Sequence, residues 1–248
     1  MGLEEFALGE SIVHRLDPRT KLLTALLFST VVALNYSIAG SLIAGVFPVV
    51  MVGLTGIGWA KILRRMVIVN SFIAMIWMFL PFTVPGETIW SLGPLTVQWE
   101  GLVFALLITI KSNVILLTVI TLLGTTPVFD LVHALSHMGV PERLIHVFFF
   151  CFRYVHVIHD EYLRLLKAMK IRGFRPATNL HTYRSYAYLV GMLLVKSFDR
   201  SQKILAAMKC RGFQGKFYIL HHYNMRRSDY ALAACSVAFA AIVLVIPL

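Results

Sequence analysis

The sequence predicts an all-α polytopic membrane protein with about five transmembrane helices and a long helical cytoplasmic region before the last of them. Two observations predict this class. The 248 residues are 58% hydrophobic and only 14% charged, whereas an ordinary soluble domain is about one quarter charged. The apolar residues also fall into segments of about 20 residues, the length that crosses a bilayer. Each segment must be helical, because unpaired backbone groups are too costly in lipid.

Four of these segments lie in the first half of the chain and one closes it. They cover approximately residues 22–38, 42–59, 66–82, 101–123 and 230–247. We therefore expect a membrane bundle at residues 1–123, a cytoplasmic region at 124–229 and a last transmembrane helix at 230–248.

Positive charge is concentrated in one part of the chain. The net charge is +11, and residues 124–229 carry 16 of the 23 lysines and arginines but 6 of the 12 acids. Basic residues beside spans favour the cytoplasmic side. Residues 83–100 hold only acidic charges, at Glu87 and Glu100. This alternation predicts a cytoplasmic N-terminus, a cytoplasmic region 124–229 and an external C-terminus. Such placement favours a protein or lipid target over nucleic acid.

The cytoplasmic region predicts helices with defined stops. Thr126 followed by Pro127 is a good helix start. A long helix is expected from about Arg143 to Arg172, and it includes the short apolar segment 148–155. Apolar residues at spacings of three and four mark one face of this helix and of a second one; they are Tyr162, Leu165, Leu166, Met169, Ile204, Leu205 and Met208. Gly173 and Gly212 can adopt the left-handed conformation that ends a helix.

A seven-residue phrase occurs twice in this region. Residues 168–174 return as residues 207–213, thirty-nine positions later, with six of the seven letters identical. The arginines of the two copies, Arg172 and Arg211, come at the predicted helix ends. A cation there is favourable by about 0.3–1 kcal/mol through the helix dipole alone. That explains one arginine, but not the same flanking residues twice. The repeat therefore predicts two helix ends that grip two equivalent places on a partner.

Several motifs together resemble a known family. They are residues 14–21 (His-Arg-Leu-Asp-Pro-Arg-Thr-Lys) before the first span, residues 125–127 (Thr-Thr-Pro) after the fourth, and the paired Arg-Gly helix ends. With these motifs the chain resembles, over nearly its whole length, the transmembrane T component of energy-coupling factor transporters, of the CbiQ type found in cobalt uptake systems. It departs from the stricter family motif at Ile171 and Cys210, where that motif has alanine.

The resemblance implies a non-catalytic subunit of an ATP-driven importer in a prokaryotic inner membrane. Its two helix ends would dock on two ATP-binding cassette ATPases. The implied docking residues are Arg172, Gly173, Arg211, Gly212, Met169 and Met208. The other implied partners are a CbiM-like substrate-binding membrane subunit, a small accessory membrane subunit and lipid. This chain would bind no cofactor: ATP and magnesium would sit on the ATPases, and cobalt on the substrate-binding subunit. The chain itself has no GxxxxGK[ST] phosphate loop.

Two further features are candidates for function. Lys111 falls near the middle of the fourth span, where a charge is costly and marks a functional candidate. It could face the substrate-binding subunit, pair with a backbone carbonyl beside Ser112 and Asn113, or extend towards water. His133 and His137 lie four residues apart, a spacing that can bind metal. They lack an evident third ligand, so we expect no metal site.

Alternatives remain open at this point. The cargo could be nickel or a vitamin rather than cobalt, because selectivity is expected in another subunit. From other classes, the chain could be a permease half of an ordinary ABC importer or a membrane-embedded histidine-dependent metalloenzyme. The near absence of acids within the spans argues against the enzyme. The two matched docking motifs argue against the permease half.

Overall fold

The computed structural model describes Gly9 and residues 11–85, 87–92, 95–215 and 227–245. Over these residues the chain forms eight α-helices and one short β-hairpin. The helices are α1 (Pro18–Leu34), α2 (Ile38–Thr55), α3 (Trp59–Thr83), α4 (Trp99–Leu122), α5 (Val128–His137), α6 (Glu142–Ile171), α7 (Leu180–Cys210) and α8 (Arg227–Val245), and the strands are β1 (Thr88–Leu92) and β2 (Leu95–Gln98). The predicted all-α membrane class is confirmed.

The chain divides into two compact units. The bundle unit comprises residues 1–139 and 223–248 and holds α1 to α5, the hairpin and α8. The two-helix unit comprises residues 140–222 and holds α6 and α7. These units reflect packing within the chain and not the position of a membrane. The domain boundaries expected at 123/124 and 229/230 therefore stay predictions.

Among the described residues, four helices of the bundle unit are long and apolar enough to cross a membrane, namely α2, α3, α4 and α8. They correspond to four of the five predicted spans. The fifth, α1, has 17 residues, about 25 Å at 1.5 Å per residue, which lies at the lower limit for a span. It begins at Pro18, earlier than predicted, because the Asp17 carboxylate caps it by accepting a hydrogen bond from the Arg19 amide at 2.9 Å.

Aromatic rings from three helices form the centre of the bundle. Phe28 of α1 contacts Phe47 of α2 with ring centroids 4.7 Å apart, and Phe47 contacts Phe239 of α8 at 5.8 Å. Phe28 and Phe47 are fully buried. By contrast, α3 carries large apolar side chains that are more than half exposed, including Val67, Ile68, Phe72, Met75 and Met78. A continuous exposed apolar face of this kind is typical of a surface covered by lipid or protein.

Helices α3 and α4 pack antiparallel through polar pairs and one close approach. The amides of Asn70 and Asn113 exchange hydrogen bonds at 3.0 and 3.1 Å. A Cβ atom at Gly101 would lie 2.8 Å from the Cα of Pro81. Glycine at this position therefore lets the two backbones approach more closely than any other residue would allow.

The antiparallel hairpin of β1 and β2 connects these two helices, and it was not among the elements expected. A local signal for it exists in the sequence. Residues 88–98 contain β-branched and aromatic residues on both sides of a Gly-Pro pair, the pattern of two short strands around a turn. The spans are recognised by apolar segments of about 20 residues, and two strands this short do not produce such a segment.

The two-helix unit confirms the predicted long helix, since α6 runs from Glu142 to Ile171 and contains residues 148–155. Helix α7 packs beside it. The predicted stripe on α6 is half-buried at all four positions, whereas the intervening Arg164 and Lys167 are exposed. On α7, Ile204 and Met208 are half-buried but Leu205 is 41% exposed. The repeated phrase thus ends two long helices that belong to the same unit.

Candidate functional site

The end of α6 has a specific backbone geometry. Arg172 is the last residue near helical conformation, and Gly173 follows with φ of 81°. The Gly173 amide donates to the Lys170 carbonyl at 3.0 Å, and the Phe174 amide donates to the Met169 carbonyl at 3.1 Å. These two bonds define a Schellman motif, which requires a left-handed residue and therefore favours glycine.

The end of α7 repeats this geometry. Gly212 also has φ of 81°. The Gly212 amide donates to the Lys209 carbonyl at 3.0 Å, and the Phe213 amide donates to the Met208 carbonyl at 3.0 Å. Every hydrogen bond of the first motif has its counterpart thirty-nine residues later. The sequence repeat is therefore a structural repeat, and both predicted glycine stops are confirmed.

Both motifs present an arginine to the surroundings. Arg172 and Arg211 are exposed, as are Lys170 and Lys209 beside them. Within the described part of the chain, neither guanidinium forms a hydrogen bond or an ion pair. Each helix end thus offers five donors in a fixed fork and a positive charge. Such a group is suited to a carboxylate on another molecule.

Apolar side chains frame each arginine in the same order. Met169 and Phe174 are half-buried around the first, as are Met208 and Phe213 around the second. Ile171 is 87% exposed, and its counterpart Cys210 is exposed too. These two positions are also where the chain departs from the family's alanine. The Phe174 ring meets the Tyr186 ring edge to face, with centroids 5.7 Å apart, which fixes the segment after α6 against α7.

An ion pair braces α6 against α7. Lys196 of α7 donates a hydrogen bond to the Glu161 carboxylate of α6, and Arg164 lies 3.6 Å from the same carboxylate. The hydrogen bond from Lys196 lowers the pKa of Glu161, and the nearby positive charges of Lys196, Arg164 and Arg200 act in the same direction. The two helices are therefore held together by charge as well as by the half-buried stripe.

A buried polar cluster in the bundle unit was not predicted. The Lys21 ammonium donates to the Thr126 hydroxyl at 3.1 Å, and the Asp17 amide donates to the Asp229 carboxylate at 2.8 Å. All four residues are at most 4% exposed. Three of them belong to the motifs that carry the family resemblance, residues 14–21 and 125–127. The sequence offered one signal, an acid and a lysine four residues apart beside a span. The partners from α8 and the α4–α5 turn are too distant in sequence to infer.

Lys111, the candidate within the fourth span, contacts α1. Its ammonium donates to the Ala33 carbonyl at 2.9 Å and lies 4.8 Å from the centre of the Tyr36 ring. Ala33 is in the last turn of α1, where carbonyl groups lack helical partners. The expected carbonyl was one beside Ser112 and Asn113, whereas the structure pairs Lys111 with a carbonyl of α1. Lys111 therefore has a structural role at the end of α1, and contact with another subunit stays a prediction.

His133 and His137 lie on one face of α5, with ring centroids 4.8 Å apart and the rings nearly perpendicular. Among the described residues, no group of three or more histidines, cysteines, aspartates or glutamates is placed to hold a metal ion. This arrangement is that of two packed imidazole rings.

Comparison with known proteins identifies the family. The family model CbiQ, described as cobalt transport protein, matches residues 9–219. A relative from Heliobacterium modesticaldum is 30% identical over 240 residues, which cover 86% of each chain. Another, from Bacillus subtilis (strain 168), is 28% identical over 230 residues, 87% of this chain and 85% of its own. Both are named energy-coupling factor transporter transmembrane protein EcfT. The chain therefore belongs to the CbiQ family and is a non-catalytic transmembrane T component of energy-coupling factor transporters.

Proposed function

We propose that this subunit docks on two ATP-binding cassette ATPases through Arg172 and Arg211 and passes their ATP-driven movement to a separate substrate-binding membrane subunit. The observation that carries the proposal is the structural repeat at the ends of α6 and α7. Two matching Schellman ends with exposed arginines suit two copies, or two homologous forms, of one partner.

Electrostatics supports an acidic docking surface on the ATPases. The C-terminal parts of α6 and α7 and the residues just after them are rich in lysine and arginine, with Lys167, Lys170, Arg172, Arg175, Lys203, Lys209 and Arg211. The half-buried Met169 and Met208 add adaptable apolar contact beside each arginine. Complementary charge of this kind guides association and fixes the register of a complex.

The two-helix unit also offers a surface for the substrate-binding membrane subunit. Leu144, Phe148, Val155 and Ile158 recur along one side of α6 and are 42–55% exposed. Their spacing of four, seven and three residues places them on one helix face. An apolar face of this length is suited to the lipid-facing helices of another membrane protein. A small accessory membrane subunit and lipid are the other partners we propose.

For the cargo we propose a transition metal ion, with cobalt first, held by the substrate-binding subunit. The family description supports cobalt, whereas the names of the relatives state no cargo. ATP and magnesium would be bound by the ATPases and not by this chain. The proposed location is the cytoplasmic membrane of a prokaryote, with the N-terminus and the two-helix unit in the cytoplasm, as the distribution of basic residues indicates.

Coexpression with the ATPases and the substrate-binding subunit of the same organism tests this function. Native mass spectrometry should find one copy of this chain with two ATPase subunits. Cells that express the complex should take up ⁵⁷Co²⁺ in an ATP-dependent manner, in competition with Ni²⁺. Two copies of this chain per complex would favour a permease half instead. Uptake of ⁶³Ni²⁺ or a labelled vitamin, but not of ⁵⁷Co²⁺, would replace the proposed cargo.

A further inference from the structure

We propose that the buried cluster of Asp17, Lys21, Thr126 and Asp229 is the joint through which movement of the two-helix unit reaches the membrane bundle. We call these four residues the joint. The inference rests on the proposed coupling function, because a joint matters only if the two-helix unit moves. The inference extends the proposed function by naming the residues through which that movement would enter the bundle unit.

The first argument is the route of the chain. The two-helix unit is inserted between α5 and α8, so only two covalent connections link it to the bundle unit. Thr126 lies two residues before the start of α5, in the part of the chain that leads to the two-helix unit. Asp229 lies in the first turn of α8, on the way out. A force on the two-helix unit that travels along the chain must arrive at these two places.

The second argument is that both places are fastened to the same turn of α1. Thr126 accepts a hydrogen bond from Lys21, and Asp229 accepts one from the backbone amide of Asp17. Asp17 and Lys21 are four residues apart and are linked by the first hydrogen bond of α1, from the Lys21 amide to the Asp17 carbonyl. Two segments of the bundle unit, one before and one after the two-helix unit in the chain, are therefore joined through one helix start.

The third argument concerns the chemistry of the joint. Lys21 is fully buried, with Asp17, Asp130 and Asp229 near enough to stabilise its charge. Burying such charges carries a desolvation penalty, and apolar residues would pack this position without it. Hydrogen bonds are directional, however, whereas apolar contacts can slide. A shift of α5 or α8 must then move α1 or break a buried bond, which suits a part that transmits movement.

Hydrogen exchange on the purified complex with its ATPases tests the joint without knowledge of the cargo. Exchange is compared with and without magnesium-ATP and vanadate. Thr126→Val removes the acceptor for Lys21 at nearly constant volume, and Thr126→Ser retains it. Thr118→Val is the matched control, since Thr118 is a fully buried threonine of α4 whose hydroxyl, among the residues that the structure describes, bonds only the Val114 carbonyl of its own helix, at 2.8 Å. Asp229→Leu, which removes the acceptor for the Asp17 amide at similar volume, serves as the second variant and is decisive if Thr126→Val does not assemble.

In the wild type, Thr126→Ser and Thr118→Val, we expect nucleotide-dependent changes at the ends of α6 and α7 and in α1 and α8. In Thr126→Val or Asp229→Leu, the changes in α1 and α8 should fall at least twofold while those at the ends of α6 and α7 persist. Full changes in α1 and α8 in these variants would overturn the joint alone. No ATPase binding by the wild type, or no change at the ends of α6 and α7, would overturn the proposed function together with the joint.

Discussion

Gly173 and Gly212 determine how the two arginines are presented. Both adopt φ of 81°, a region that costs an L-residue about 1–2 kcal/mol. Without the left-handed turn, the amides of Phe174 and Phe213 could not reach back to the methionine carbonyls. The arginine would then no longer mark a sharp helix end, and its direction would vary.

We therefore expect Gly173→Ala to lower the free energy of local unfolding at the end of α6 by about 1–2 kcal/mol. Gly191→Ala is the control, because Gly191 lies within α7 with open space around the added methyl group. There alanine should raise helix stability by about 0.5–1 kcal/mol. Hydrogen exchange of residues 168–174 and of α7 measures both values. If Gly173→Ala and Gly191→Ala changed the local free energy of unfolding equally and in the same direction, the role given to Gly173 would be contradicted.

At this scale the sequence predicted the residues whose role is set locally. The glycine stops follow from a rule about helix ends, and the repeat identified both arginines. Asp17 and Asp229 were not predicted as partners, because 212 positions separate them in the chain and only the packing of α1 against α8 brings them together. The role of Lys111 as a cap for α1 could not be predicted for the same reason.

Helices α6 and α7 must stay together if their ends are to keep a fixed spacing. The packing within the two-helix unit depends on a half-buried stripe and on the Glu161–Lys196 pair. The stripe consists mainly of aliphatic side chains, whereas the pair contains the Glu161 carboxylate, which loses its charge at low pH. This difference gives the packing of α6 and α7 a measurable dependence on pH.

The lowered pKa of Glu161, caused first by the hydrogen bond from Lys196, fixes the sign of this dependence. The stabilisation is complete above the ordinary glutamate value of about 4.5 and is lost as the pH falls from there through the lowered pKa. Glu161→Gln should remove this dependence, whereas Glu142→Gln at the start of α6 should retain it. Hydrogen exchange of α6 and α7 between pH 6 and 3, corrected for intrinsic rates, measures it. If Glu161→Gln kept the same pH dependence as the wild type, the dependence could not be due to the Glu161–Lys196 pair.

Among the elements, the long periodic ones were predicted best. The observed α6 starts one residue before the predicted helix and ends one residue before its predicted end. The start of α1 was placed too late, since hydropathy does not register the polar first turn that Asp17 caps. The β-hairpin was missed because its strands have only five and four residues. Apolar periodicity over about 20 residues cannot detect elements so short.

At the scale of the whole molecule, α6 and α7 act as levers if force is to pass from the arginines towards the bundle. A lever needs an unbroken hydrogen-bond ladder. Proline within a helix removes one bond and clashes with the preceding turn, which costs about 3 kcal/mol or more and bends the helix. A kink would leave Arg172 and Arg211 present but no longer rigidly connected to the rest of the chain.

We expect Leu165→Pro or Ile204→Pro to retain part of the ATPase binding, to leave ATP hydrolysis active or unregulated, and to abolish ⁵⁷Co²⁺ uptake. Leu180→Pro is the control, because Leu180 is the first residue of α7, where proline is tolerated, and the preceding Asn179 is already extended. Uptake and ATPase activity are measured in the same vesicles. Normal uptake by the Leu165→Pro and Ile204→Pro complexes would show that the helices are tethers rather than levers.

The most direct measurement of the central claim is copurification of the Arg172→Glu/Arg211→Glu variant with the ATPases. Each single reversal should weaken binding, since truncating one partner of a buried charged contact costs about 2–5 kcal/mol, and the double reversal should nearly abolish it. The control is Arg143→Glu/Arg184→Glu, which changes the net charge equally at two exposed positions near the starts of α6 and α7, at the opposite end of each helix from its Schellman motif. The account predicts that the control complex stays intact and the double arginine variant loses its ATPases. Normal copurification of that variant would contradict it.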